Sequence, residues 1–257
     1  MKKLLLLFLL AFLAVPIASA EESVVTLTTT LDEGASIKLY TWADSMDDAF
    51  TIDWGDGVEK IYNKVKPSWT YGSEITGKLG ASKTITIKGD ITYLEIKEMQ
   101  ISAATFANTK LKEVDMEKNQ LTDFNLSGLP EVTKLSLNEN SIVTFSSTGN
   151  SVLKNLGLKS NKIDSHQFEI SSLANSLEQL NVSENGENFV ALNLINFDKL
   201  QYFTANDNPE LTTVVFYDGS TNLKQISMNN CHIMHFYAIS LPNLNSLNLS
   251  NNALLDF

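Results

Sequence analysis

From Ile91 onward one pattern of apolar and polar positions recurs: an apolar residue, two others, then two apolar residues flanking a polar one. Its registers are Ile91-Leu94-Ile96, Leu111-Val114-Met116, Val132-Leu135-Leu137, Leu153-Leu156-Leu158, Leu177-Leu180-Val182, Leu200-Phe203-Ala205, Leu223-Ile226-Met228 and Leu244-Leu247-Leu249. Successive first positions lie 20, 21, 21, 24, 23, 23 and 21 residues apart. The alternation within each register predicts a short strand with apolar side chains inward and the intervening one outward. The near-constant spacing predicts about eight stacked turns, because a unit this short cannot bury its apolar face alone and must be covered by its neighbours.

Between registers the chain carries further apolar residues, among them Phe124, Leu126 and Leu129, Phe168, Ile170 and Leu173, and Phe236, Ile239 and Leu241. These returns are too short and irregular for long helices. They are expected to form turns, 3₁₀ pieces and short extended segments.

Three residues beyond most registers stands an asparagine: Asn119, Asn140, Asn161, Asn185, Asn208 and Asn252, with Met99 and Cys231 in the same place in the first and seventh turns. The composite L-x-x-L-x-L-x-x-N, at spacings of this length, resembles the leucine-rich repeat. The segments Phe124–Pro130 and Phe236–Leu244 resemble the L-P-x-L returns of bacterial surface proteins of that class, internalin-like or of Bacteroidetes type. The resemblance covers residues 91–257. It implies a horseshoe solenoid with a parallel concave β-sheet, and a secreted or surface-displayed recognition protein with a protein or glycan partner. It also implies a structural ladder in which the asparagines and Cys231 face inward, bonding backbone groups that would be costly to bury unpaired.

Residues 21–89 follow a different rhythm. Val25 and Leu27, Ile37 and Leu39, Phe50, Ile52 and Trp54, and Ile85 and Ile87 alternate with polar residues, which predicts a small all-β, sandwich-like module. Gly55-Asp56-Gly57 supplies residues that accept positive φ at a tight turn. The stretch Phe50–Gly57 resembles the W-D-F-G-D-G signature of polycystic-kidney-disease-type β-domains, with the aromatic displaced. The module is also expected to cap the solenoid, since an open first strand exposes apolar surface and unpaired backbone. At the other end the last register is followed by only eight residues, Ser250 to Phe257. A longer parent, or a partner covering that end, is expected.

The first 20 residues read as a secretory signal: Met1-Lys2-Lys3, an apolar run from Leu4 to Ile17, then Ala18-Ser19-Ala20. Cleavage is expected after Ala20, leaving no integral membrane segment, because the run is shorter than the roughly 20 residues that span a bilayer, and Glu21 rather than a cysteine follows the cleavage site, so no lipid attachment is expected there. The expected location is secreted, extracellular or at the cell surface. Loss of Lys2 and Lys3, with no acid, moves the net charge from −11 to −13, and the chain contains no arginine. Nucleic acid and anionic membranes are therefore excluded as partners. Cys231 is the only cysteine, so stability has to come from packing rather than an internal disulfide.

Outward positions of the concave strands form the candidate binding face: Tyr93, Glu95, Lys97, Asp115, Glu117, Asn138, Lys159, Asn181, Tyr202, Asn206 and Asn229. The columns are mostly small and polar, with Tyr93 and Tyr202 the aromatics, whereas protein hot spots favour Trp, Tyr and Arg. A second aromatic group, Trp42, Trp54, Trp69, Tyr62 and Tyr71, accompanies Asp44, Asp47, Asp48, Asp53 and Asp56. That composition fits core and turn chemistry, with sugar stacking or calcium ligation as the alternative. His232 and His235 have a metal-like spacing, yet a zinc site needs further ligands. No catalytic signature is present, so a non-enzymatic protein without cofactor or metal is expected. The alternative to recognition is a structural spacer that displays a further domain.

Overall fold

A computed structural model of the chain describes residues 21–45, 48–63, 74–216, 222–238 and 241–253. Residues 1–20, expected to be a secretory signal, and the positions Asp47, Trp69, Tyr71 and Ile239 lie outside the described residues. Within them the chain is nearly all β, and from residue 93 onward its strands, apart from Ile101–Ala107, build a solenoid of parallel sheets.

The N-terminal part contains β1 (Val24–Thr29), β2 (Ser36–Trp42), β3 (Phe50–Asp53), β4 (Glu59–Tyr62), β5 (Glu74–Lys78) and β6 (Thr84–Lys88). The solenoid opens with β7 (Tyr93–Glu95), β8 (Ile101–Ala107) and β9 (Glu113–Asp115). The period-two pattern has the expected consequence: Val25, Leu27, Ile37, Leu39, Phe50, Ile52, Ile85 and Ile87 are buried while their neighbours are not. One five-stranded sheet runs β4-β3-β6-β1-β8, and its pairings are all antiparallel.

β2 belongs to the other sheet. It pairs antiparallel with β5 on one side and with β7 on the other, matching Tyr40 to Glu95, Thr41 to Leu94 and Trp42 to Tyr93. The Thr41 hydroxyl donates to the Tyr93 carbonyl at 2.6 Å, and the Trp42 and Tyr93 rings stack 3.8 Å apart and 4° from parallel. β2 thus closes the backbone edge that the first solenoid strand would otherwise expose. Pairing does not stop at residue 89, since β8, which follows the first solenoid strand, returns to lie beside β1.

Beyond β9 the same sheet continues through Lys134–Ser136, Asn155–Gly157, Gln179–Asn181, Tyr202–Thr204, Gln225–Ser227 and Ser246–Asn248, each parallel to the last and in register. Stacking places Leu94, Val114, Leu135, Leu156, Leu180, Phe203 and Ile226 in one inner column, none more than 2% exposed, whereas the last member, Leu247, is 46% exposed. The returns form two further parallel ladders, Asp123–Asn125 with Thr144–Ser146 and Phe168–Glu169, and Ala191–Asn193 with Thr213–Phe216 and His235–Ala238. Phenylalanines pack along them, Phe145 against Phe168, Phe168 against Phe189, and Phe216 against Phe236, with ring centroids 5.8, 6.1 and 6.1 Å apart. The ladders are interrupted where the spacing is longest. That turn carries two single-turn 3₁₀ segments, Ser165–Gln167 and Ser171–Leu173, which take up its extra residues.

Each asparagine side chain works across turns. Asn161 Nδ2 donates to the carbonyls of Leu137 and Leu158 at 3.0 and 3.1 Å, and its Oδ1 accepts the Ile142 N–H at 2.9 Å. Asn119, Asn140, Asn185, Asn208 and Asn252 repeat the scheme, so that the Leu137 carbonyl accepts from both Asn140 and Asn161, and the Leu158 carbonyl from both Asn161 and Asn185. From Asn119 to Asn208 the ladder is continuous through shared acceptors. Cys231 joins it with its thiol on the Ala205 carbonyl at 3.0 Å, and burial pushes that thiol's pKa up.

The residue before each ladder position is left-handed: Glu98, Lys118, Glu139, Ser160, Glu184, Asp207, Asn230 and Asn251 have φ between 54° and 59°. This region is disfavoured for side chains other than glycine, asparagine and aspartate. Six of the eight stand beside a ladder amide that bridges the bend, while Glu98 and Asn230 precede Met99 and Cys231.

Candidate functional site

The outward side chains of the long parallel sheet fall into three zones. In the first, Lys97 Nζ lies 2.6 Å from Asp115, with Glu117 at 3.7 Å and Glu95 at 3.8 Å. Tyr93 donates to Glu95 at 2.6 Å, while Glu117 accepts from the Ser136 hydroxyl at 2.5 Å and from Asn138 at 2.6 Å. Five of the predicted binding residues therefore meet in one network with Tyr93, and they are engaged with one another.

The titration behaviour follows. Burial lifts the Tyr93 hydroxyl well above its ordinary value, and the bond to Glu95 adds to this. Burial also raises Asp115, a shift that Lys97 only partly opposes. For Glu117, burial pushes upward but the bonds from Ser136 and Asn138, with the charge of Lys97, hold its pKa below the usual range. Burial works against the Lys97 charge, and the surrounding carboxylates overcome it and raise its pKa. One ammonium thus holds three carboxylates together, a structural use of charge.

In the last zone Asn206 Oδ1 accepts from Ser227 at 2.8 Å and from the Asn229 N–H at 3.0 Å, and its own N–H is taken by Ser183 at 3.1 Å. These side chains brace the C-terminal turns.

Between them lies an open groove of about 320 Å³. It is lined by outward residues of four successive strands, including Asn155, Gly157, Gln179, Asn181, Tyr202 and Thr204. Gly157 removes one side chain from the central column, and a Cβ there would lie 3.0 Å from Asn138 Oδ1. Lys159, placed next to Gly157 on the same face, pairs instead with Glu184 at 3.0 Å on the rim. Of the predicted residues the groove holds Asn181 and Tyr202. Asn155 and Gln179 were missed, although the same alternation that marked Tyr202 marks them, because an aromatic draws notice and an amide does not.

In the cap, Trp54 is fully buried and Trp42 is 7% exposed beneath Tyr93, so neither presents an open face. Asp53 accepts the N–H groups of Gly55 and Gly57, and Asp56 that of Val58, the turn chemistry those residues suit. Gly55 and Gly57 adopt φ of 95° and 77°. Among the described residues no group of three or more His, Cys, Asp or Glu is placed to hold a metal ion. No helix among them is long and apolar enough to cross a membrane.

Compared with known protein families and with curated proteins, the chain shows a match to neither.

Proposed function

We propose that this chain is a non-catalytic extracellular recognition protein of the leucine-rich-repeat class, exported by its N-terminal signal and binding a protein or glycan through the outer face of the long parallel sheet. The observation that carries this reading is the groove at Gly157, a concavity between two stretches of the face in which side chains bond one another. Rigid turns fix the positions of its polar groups, which favours recognition over catalysis, where a nucleophile or acid–base pair is needed. The cap, with its resemblance to polycystic-kidney-disease-type domains, serves in this reading to close the sheet rather than to bind.

The test is retention of the purified protein on an array of immobilised extracellular proteins and glycans, beside Asn181→Arg, which projects a long cation into the groove. Retention on at least one ligand, abolished in the variant while thermal unfolding is unchanged, is the expected result. Retention that the variant leaves intact removes the sheet face as the binding surface.

A further inference from the structure

We propose that the groove at Gly157 binds a neutral oligosaccharide; this rests on the reading of the sheet face as the recognition surface and names its ligand class. Three observations converge on it.

The first is the distribution of hydrogen-bonding capacity. On one side of the groove Lys97, Asp115, Glu117, Ser136 and Asn138 satisfy one another, and on the other Ser183, Asn206 and Ser227 do the same. In the groove itself the side-chain amides of Asn155 and Gln179, the Asn181 Nδ2 and the Thr204 hydroxyl have no hydrogen-bond partner among the described residues. These groups offer donors and acceptors in the mixture that ring hydroxyls match. Each exchanges a bond to water for one to the ligand without first breaking a bond within the protein.

The second is charge. Lys134 is the one charged residue lining the groove, and Glu113 faces it at 3.7 Å. Of the nearby lysines, Lys154 is met by Glu178 at 3.1 Å and Lys159 by Glu184 at 3.0 Å, while Lys224 donates to the neutral Gln201 side chain at 2.7 Å. Within the lining itself the one cation is matched by an acid, and the chain as a whole is strongly acidic. A neutral ligand fits, and an anionic one is repelled.

The third is the form of the apolar surface. Tyr202, 39% exposed, is the only aromatic side chain in the lining, with Lys224 Nζ 5.9 Å from its ring centroid. One ring beside several amides suits the C–H face of a pyranose with its equatorial hydroxyls, since tyrosine pairs an apolar body with a polar tip. A protein ligand would be expected to meet clustered Trp, Tyr or Arg anchors, and arginine is absent from the chain.

The experiment compares the wild-type protein with Tyr202→Ala, Gln179→Ala and Asn181→Ala on immobilised gluco-, xylo-, manno- and N-acetylglucosamine oligosaccharides, beside polyuronate, sulfated oligosaccharides and extracellular proteins. The expected result is retention on a neutral series and not on its anionic counterparts. Affinity should fall about tenfold or more in Tyr202→Ala and about three- to tenfold in each amide variant, with unchanged thermal unfolding. Neutral-sugar binding that none of the three substitutions weakens overturns the site, and retention on anionic sugars alone overturns the ligand class. Protein-only binding that the variants abolish removes the oligosaccharide but leaves the sheet-face reading standing. Silence across proteins and sugars alike removes both.

Discussion

Replacing Asn161 with alanine is expected to lower the unfolding free energy by about 3 kcal/mol. Its Nδ2 serves carbonyls that keep a second partner, Leu137 through Asn140 and Leu158 through Asn185, so the acceptors are only partly orphaned. The Ile142 N–H has no such reserve, because Asn161 Oδ1 is its acceptor and Asn161 is only 5% exposed. A buried donor left unpaired costs about 1 to 3 kcal/mol on its own, and the lost volume adds to that. Ser160 also sits left-handed, at φ 56°, on the strength of this bridge. Cys231→Ala should cost much less, about 1 kcal/mol, since a thiol is a weak donor and a weak acceptor. Urea unfolding of both variants checks the order. Equal losses would mean that the ladder amides are not what holds the bends.

Gly77→Ala is expected to destabilise the cap by about 3 kcal/mol. β5 crosses directly over the buried Trp54 indole, and a Cβ at residue 77 would lie inside the van der Waals radius of three of its ring carbons. The ring cannot step aside, because it is wholly enclosed and its Nε1 donates to the Tyr62 hydroxyl at 3.4 Å. Either β5 lifts from β2 or the indole leaves the core. Since β2 is also the strand that covers β7, the loss should propagate into the first turn. Tryptophan fluorescence followed through a urea titration reads this directly, as a red-shifted baseline and an earlier midpoint. A spectrum and midpoint identical to wild type would show that the cap tolerates a shift of β5.

Much of the architecture was legible because two periods were written without ambiguity. The inward column Leu94 to Ile226 and the asparagine positions follow from spacing alone, and Trp54 followed from its place in an alternating strand. The left-handed bend residues did not. Asp207, Asn230 and Asn251 have the right chemistry, but Glu98, Lys118, Glu139, Ser160 and Glu184 do not, and the bonds that fix their bends come from the neighbouring turn. The return of β8 to the cap was likewise hidden, because Ile101–Ala107 alternates like any half-buried strand and nothing local says which sheet it joins. On the outer face the columns could be read, whereas their division into engaged and open groups could not. Glu117 and Asn138 are polar in sequence in the same way as Gln179 and Asn155. Only side-chain pairing across turns separates them.

The central claim, that the outer face of the parallel sheet is the recognition surface and its open groove the contact point, is tested most directly by mapping amide chemical-shift changes as the ligand retained on the array is added. The account predicts shifts concentrated in Asn155–Gly157, Gln179–Asn181 and Tyr202–Thr204, with the cap and the return ladders silent. Shifts confined to β3 and β4 of the cap, or to the returns around Phe168 and Leu192, would contradict it.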